Sequence, residues 1–189
     1  KSAIKVKDIE NYNAHPHQNL PVIKKYINGN TLENLKWGII PSWFKNKDFK
    51  PLINARLETI NEKISFKKLI KVSRCVAPAD GFYEWKREEK NKIPYYFLRK
   101  DKKNLYFAGI YEGNQFCLIT EQASEHISKI HHRQPVIIYE KDINRYLNIE
   151  LEGYTFLKEC KKPDLEFYEI SKDVNKPTNN SISLIQKIN

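Results

Sequence analysis

The sequence contains no methionine, only three cysteines and no long apolar run, and each of these shortages excludes something. A chain without methionine does not start at an initiator residue, so we expect a native N-terminal segment to precede Lys1. No stretch approaches the roughly 18 to 20 consecutive apolar residues of a membrane span. Residues 1–10 alternate charged and apolar side chains instead of forming the apolar centre of a signal peptide. We therefore expect a soluble, cytoplasmic protein.

The cysteines and histidines lack the spacing of a disulfide framework or a metal site. Cys75, Cys117 and Cys160 are odd in number and widely separated. The first two lie in apolar runs, which predicts buried thiols, whereas the third follows a basic helical pattern and is expected at the surface. His131 and His132 are adjacent, so their rings point apart. Because phosphate-cradling glycine loops and zinc-hydrolase motifs are also missing, we expect no metal and no cofactor.

Positive charge is in excess. The chain has 33 Lys and Arg against 23 Asp and Glu, which leaves a formal net charge of +10 over 189 residues. Such a balance favours an anionic partner. Hydrophobic residues make up 40% of the chain, and neither a repeat nor a flexible linker divides it, so we expect one domain over residues 1–189.

Short runs rich in β-branched and aromatic residues predict a sheet. The predicted strands are Leu20–Ile27, Leu35–Ile40, Arg74–Ala77, Gly81–Lys86, Pro94–Arg99, Leu105–Glu112, Gln115–Thr120, Pro135–Tyr139 and Glu166–Ser171. Turn residues at 90–92, 101–104 and 113–114 predict a meander of antiparallel hairpins between Tyr83 and Thr120. The predicted helices are Ser65–Lys71, Ser124–Ile130, Lys141–Leu147 and Tyr154–Lys161. Together they indicate an α+β domain with a strongly curved, barrel-like, mixed or antiparallel sheet and short peripheral helices.

Two polar and aromatic loop segments have both structural and functional interpretations. Trp43 and Phe44 are adjacent, so both cannot easily lie in the core; one could cover the other, or the pair could stack on nucleic-acid bases. Arg56 and Glu58 could form a structural ion pair. Alternatively, Asn54 could orient a small reactive group and Arg56 could bind a phosphate.

Glu84 and His131 are candidates for acid/base chemistry. Glu84 lies between two large aromatic residues, and a carboxyl group desolvated there would have a raised pKa, which suits proton transfer. On an exposed sheet face it would be an ordinary surface residue. His131 precedes an apolar strand, where a lone histidine is more often structural than catalytic.

The order of the motifs WGIIPSW, INARLETI, RCVAPADGFYEWK, IHHRQPVII and YEISKDVN resembles the SOS-response-associated peptidase family, whose members are also called abasic-site processing proteins. The resemblance extends from Tyr12 to about Ile185. It implies an α+β domain with a positively charged channel for single-stranded DNA. It also implies covalent linkage to abasic sites, through the amine and thiol of an N-terminal cysteine, with a nucleoid-associated monomer as the expected form.

The resemblance assigns roles to residues whose types match the family motifs. It implies that Asn54 holds the amine and substrate, that Glu84 is the active-site carboxylate, and that His131 moves protons as the sugar ring opens. The implied nucleic-acid-binding residues are Trp43, Phe44, Arg56, Trp85, Thr120 and Arg133.

The sequence departs from the family pattern at its start. It begins with Lys1-Ser2-Ala3, so the cysteine nucleophile is absent from it, and Gln134 stands where the family often has methionine. No internal cysteine can replace the nucleophile, because ring closure needs an amine and a thiol on one residue. Three functions stay open: a self-linking DNA-repair enzyme with possible lyase activity, a thiol peptidase, and a noncatalytic single-strand-binding relative.

Overall fold

The computed structural model describes residues 10–44, 49–89 and 91–188, and it has the predicted α+β architecture. Its strands are β1 Asn19–Tyr26, β2 Gly29–Trp37, β3 Asn54–Arg56, β4 Arg74–Ala79, β5 Phe82–Glu88, β6 Asn91–Arg99, β7 Leu105–Glu112, β8 Gln115–Gln122, β9 Arg133–Pro135 and β10 Leu165–Glu169. Its α-helices are α1 Leu69–Val72, α2 Glu125–Ser128, α3 Ile143–Leu147 and α4 Gly153–Glu159. Short 3-10 turns include Leu57–Thr59, Lys172–Asn175 and Ile182–Ile185.

The larger sheet has seven strands and closes on itself. Its order is β2-β1-β4-β7-β8-β3, with β9 also paired to β8. A parallel pairing of Lys36 and Trp37 with Gln115 and Phe116 joins β2 back to β8. The barrel-like curvature predicted from the sequence is therefore confirmed.

The remaining strands form a separate sheet in the order β10-β6-β5. Phe82 of β5 stacks on Phe97 of β6 with ring centroids 4.8 Å apart, and its edge meets Phe107 of β7 at 5.9 Å. These aromatic rings pack the two sheets together.

Alternation along the strands of the larger sheet separates two apolar clusters. Val76, Cys117 and Ile119 belong to a cluster that includes residues of α1, α3 and α4. Their strand neighbours Cys75 and Phe116 belong to a cluster that includes residues of the smaller sheet. One set of side chains thus packs with the helices and the other with the second sheet, as the two-residue period of a strand requires.

Several sequence-based boundaries were wrong. The meander breaks after β6, because the 101–104 turn leads to β7 in the other sheet rather than to a hairpin partner. β2 begins at Gly29 and ends at Trp37, where Gly38 adopts a φ of 131° and an added Cβ would lie 2.9 Å from Pro51. β3 was not predicted as a strand, and β9 ends at Pro135 instead of continuing to Tyr139.

The first described residues are tied to the C-terminal segment. The amide nitrogen of the Asn13 side chain lies 3.0–3.2 Å from the carbonyl oxygens of Val174, Lys176 and Asn179. The backbone of Tyr12 donates to the side chain of Asn180 at 2.6 Å. These contacts, which we call the terminal clasp, hold residues 10–13 against residues 174–180.

Candidate active site

Glu84 and His131 meet between the smaller sheet and the segment that leads into β9. Glu84 Oε1 lies 3.6 Å from His131 Nδ1. Glu84 shares a strand face with Phe82, which packs toward the larger sheet, because alternate residues of a strand point to one side. The two side chains are therefore neighbours, and the roles expected for them together with Asn54 in one active site stay predictions.

Partial burial changes the pKa of the Glu84 carboxyl group. Its side chain is 24% exposed. Desolvation raises the pKa of Glu84 above its ordinary value, and the nearby His131 imidazole opposes that rise when it carries a positive charge. A carboxyl group with a raised pKa can hold a proton closer to neutral pH and deliver it to a substrate.

The His131 ring is held by the backbone two residues further along. Its Nδ1 lies 3.0 Å from the carbonyl oxygen of Arg133 and 3.2 Å from the amide nitrogen of Arg133. The carbonyl oxygen favours a proton on Nδ1 and the amide N–H favours an unprotonated Nδ1, so the balance between the two contacts sets the tautomer and with it the proton role of Nε2. The His131 side chain is 30% exposed, so part of the ring is open to solvent.

Arg133 is committed to protein partners. Its Nη1 donates to Glu58 Oε1 at 2.7 Å and its Nη2 to Glu58 Oε2 at 3.0 Å. Nη2 also lies 2.8 Å from the carbonyl oxygen of Thr120 and 3.1 Å from its hydroxyl. The proposed structural ion pair of Glu58 with Arg56 is therefore wrong; Glu58 pairs with Arg133, which lies 75 residues away.

Asn54 and Arg56 occupy the exposed face of β3. Ala55 between them is fully buried, so both flanking side chains point away from that core. Arg56 is in register with Thr120 of β8, which is itself in register with Pro135 of β9. Among the described residues, the polar contacts of His131 are with Arg133 and Glu84, and no hydrogen bond joins Asn54 to Glu84 or His131.

Trp43 and Phe44 lie near the other end of β8. Trp43 is 51% exposed, and its ring meets Phe44 edge-on at 5.6 Å, while Phe44 contacts Phe49 at 4.2 Å. The loop is attached through Ile40, whose backbone N–H donates to the side chain of Gln115. Gln115 is five residues from Thr120, about 17 Å along an extended strand. Only Trp43 is largely exposed, which confirms that the two rings are not both in the core.

Tyr83 and Trp85 point to the face of β5 opposite Glu84. The Tyr83 hydroxyl donates to the carbonyl oxygen of Tyr12 at 2.6 Å, and the Trp85 indole donates to Asn175 at 2.8 Å. Both rings pack with the C-terminal segment. The structure thus places Trp85 against the terminal clasp and not on the Glu84 side of the strand.

The internal cysteines are poor nucleophiles. Cys75 and Cys117 are buried as predicted, and desolvation raises the pKa of both thiols. Cys160 was expected at the surface but is half-buried against the helix-side cluster, and burial raises its pKa too. A thiol with a raised pKa is less often present as the reactive thiolate.

Two open clefts share Glu121 and Gln122 in their linings, and neither is lined by Glu84 or His131. One, of about 430 Å³, is lined by residues that include Lys100, Glu121 and Lys162. The other, of about 390 Å³, is lined by Glu58, Glu121 and Lys158 among others. Their charges are mixed, so neither cleft selects a single class of ligand. Site chemistry, and not cleft size, therefore defines the candidate active site.

Residues 10–44, 49–89 and 91–188 contain no group of three or more His, Cys, Asp and Glu side chains arranged to hold a metal ion. The same residues contain no helix that is long and apolar enough to cross a membrane.

The fold and site define an α+β protein in which a half-buried carboxyl–imidazole pair lies between a closed sheet and a smaller one. The family model described as SOS response associated peptidase (SRAP) matches residues 2–177. This match covers most of the chain, so the chain belongs to the SRAP family.

Similar proteins come from bacteria and animals. The abasic site processing protein YoqW of Bacillus subtilis is 39% identical over 190 residues, covering 93% of this chain and 85% of the relative. The abasic site processing protein HMCES of Gallus gallus is 34% identical, covering 67% of this chain and 50% of that protein. A crystal structure of a protein from Bacteroides thetaiotaomicron matches with a TM-score of 0.77 at 28% identity, covering 91% of this chain and 82% of that one.

Proposed function

We propose that this protein binds single-stranded DNA and processes abasic sites by linking covalently to the opened sugar. The contact between Glu84 and His131 carries the proposal, because a carboxyl group with a raised pKa beside an imidazole is suited to move two protons in one reaction. The substrate class is taken from relatives such as the abasic site processing protein YoqW. The net charge of +10 and the exposed Arg56 favour a polyanionic ligand.

Opening of the abasic sugar is the step assigned to Glu84 and His131. The closed hemiacetal loses the proton of its C1 hydroxyl while the bond from C1 to the ring oxygen breaks, and that oxygen gains a proton. No atom is gained or lost, so the step needs one proton acceptor and one donor. The imidazole and the protonated carboxyl group provide them.

An N-terminal cysteine, proposed to precede Lys1 in the mature protein, then reacts with the aldehyde. Its amine adds to the carbonyl carbon, and the adduct loses water to give an imine. The thiol sulfur adds to the imine carbon, its proton passes to nitrogen, and a five-membered ring results. The overall reaction releases one water. If the ring fails to close, the imine is the intermediate from which lyase-type strand cleavage proceeds.

A denaturing gel tests the proposal with a labelled single-stranded oligonucleotide that contains one abasic site. Protein with an N-terminal cysteine restored before Lys1 is expected to give a denaturant-resistant adduct. The same protein with serine in place of that cysteine, and the chain beginning at Lys1, are expected to bind without linking. An equal amount of adduct from all three would show that another group is the nucleophile, and failure of the first protein to link would exclude the linking function.

A further inference from the structure

Glu58 has no assigned role in the chemistry, yet both of its carboxylate oxygens bond to Arg133, which lies two residues from His131. Its two oxygens accept hydrogen bonds from both terminal nitrogens of Arg133. Oε1 also accepts a hydrogen bond from the backbone N–H of Gln122 at 3.0 Å. Such paired hydrogen bonds between a guanidinium and a carboxylate are directional as well as strong. The Arg133 hydrogen bond lowers the pKa of Glu58, so the carboxylate stays charged at neutral pH.

Arg133 has little capacity left for DNA. Of its five N–H groups, one on Nη1 and both on Nη2 are engaged by Glu58 and Thr120. Its Nε is buried and has no hydrogen-bond partner among the described residues. A phosphate would have to displace Glu58, whereas Arg56 is exposed on β3.

The arginine instead links the Glu58 segment to the imidazole. Its side chain crosses β8 at Thr120, and its backbone N–H and carbonyl group flank Nδ1 of His131. A shift of the Arg133 backbone would therefore move the contacts that fix the ring beside Glu84. We propose that Glu58 is a positioning residue, which holds Arg133 across β8 and thereby fixes the orientation and tautomer of His131.

The spectroscopic test does not depend on activity. Imidazole ¹⁵N shifts, assigned to His131 by comparison with His131→Asn, report the tautomer ratio. Because the two Arg133 contacts at Nδ1 favour opposite tautomers, we expect one tautomer ratio in the unmodified protein and a different ratio in Glu58→Gln. Asp101→Asn is the matched control: Asp101 also pairs with a more buried arginine, its side chain is 47% exposed like that of Glu58, and the charge change is the same. An unchanged His131 tautomer in Glu58→Gln would overturn the proposal, because pairing of β9 with β8 would then suffice.

The kinetic test rests on the proposed function and uses the protein with the restored N-terminal cysteine. We expect Glu58→Gln to slow linkage roughly 10- to 100-fold, as for a misplaced catalytic group, with single-strand affinity equal to that of Asp101→Asn. The double variant Glu58→Gln/Arg133→Gln should be no slower than Arg133→Gln alone, since the two residues act as a pair.

The outcomes separate this inference from the proposed function. Tighter DNA binding by Glu58→Gln than by Asp101→Asn would mean that Glu58 masks a phosphate site on Arg133, and would overturn the positioning role. Absence of linkage in every protein, with the tautomer change present, would reject the linking function and leave the positioning role supported.

Discussion

Glu84 Oε1 lies 3.6 Å from Nδ1 of His131, although neither residue shares a strand or helix with the other. The strand that carries Glu84 belongs to the smaller sheet, and His131 leads into β9 of the larger one. The distance between the two side chains therefore depends on how the two sheets pack against each other.

In the protein with an N-terminal cysteine added before Lys1, Glu84→Gln should slow covalent linkage to abasic DNA by about 10²- to 10⁴-fold. This is the usual contribution of a general acid or base. It should also stabilise the fold at neutral pH, because burial penalises the charged carboxylate. A raised pKa in the folded state gives stability that is present below the unfolded pKa, about 4.3, and lost as pH rises through the folded pKa. The advantage of Glu84→Gln in thermal unfolding should therefore grow as pH rises.

Glu62→Gln is the control for that prediction, since Glu62 is exposed and loses the same charge. Thermal midpoints are measured for both variants between pH 4 and pH 8. A constant difference between Glu84→Gln and the unmodified protein over this range would contradict a raised Glu84 pKa.

Arg56→Ala should weaken single-stranded DNA binding uniformly across sequences, because an exposed guanidinium on β3 would contact phosphate. The plot of log affinity against log salt concentration has a negative slope, and loss of one phosphate contact should reduce the magnitude of that slope by about 0.7. Lys71→Ala removes an exposed charge from α1, on the helix side, and should leave the slope nearly unchanged. Fluorescence anisotropy over a salt series measures both; equal slopes in the two variants would remove Arg56 from the DNA path.

Trp43→Ala should weaken the binding free energy for single-stranded DNA by about 1–3 kcal/mol, which is the contribution of one base stacked on an aromatic ring. The loss for duplex DNA should be smaller. The reason is that a half-exposed indole can stack only on a base that has left its pair. Ile27→Ala, which truncates a fully exposed apolar residue at a hairpin, is the control. Equal losses for single-stranded and duplex DNA in an anisotropy titration would argue against stacking.

The sequence predicted features that depend on neighbouring residues better than features that depend on contacts between residues far apart in the chain. Alternation predicted β7 and β8 with correct starts, because each run is apolar and ends at a turn. It could not show that β6 and β7 lie in different sheets, since that depends on pairing with β10 far along the chain. Local spacing likewise suggested that Glu58 pairs with Arg56, whereas strand packing brings Arg133 to it.

The site residues were recognisable by type and motif but not by contact. Glu84 between two aromatic residues was a usable signal, because alternation along a strand must place it on the side opposite Tyr83 and Trp85. Nothing local indicated that Trp85 contacts Asn175 or that the Arg133 backbone holds His131. Those contacts join segments that become neighbours only after folding.

Asn13→Ala should destabilise the fold by about 1–3 kcal/mol, because it removes the donor of a buried side chain that serves three carbonyl groups. In Asn30→Ala, the control, the lost hydrogen bond to Asn144 is exposed, and the cost should stay within about 0.5 kcal/mol. Urea unfolding measures both. Similar midpoints for the two variants would show that the terminal clasp adds little to stability.

The terminal clasp also has a consequence for biosynthesis. Tyr12 and Asn180 are 168 residues apart, and chains are made from the N-terminus onward. Residues 10–13 therefore emerge from the ribosome long before residues 174–180, which are their partners in the folded protein. During translation the sheets can pair while residues 10–13 are still unanchored, and these residues are secured only after residues 174–180 have been released.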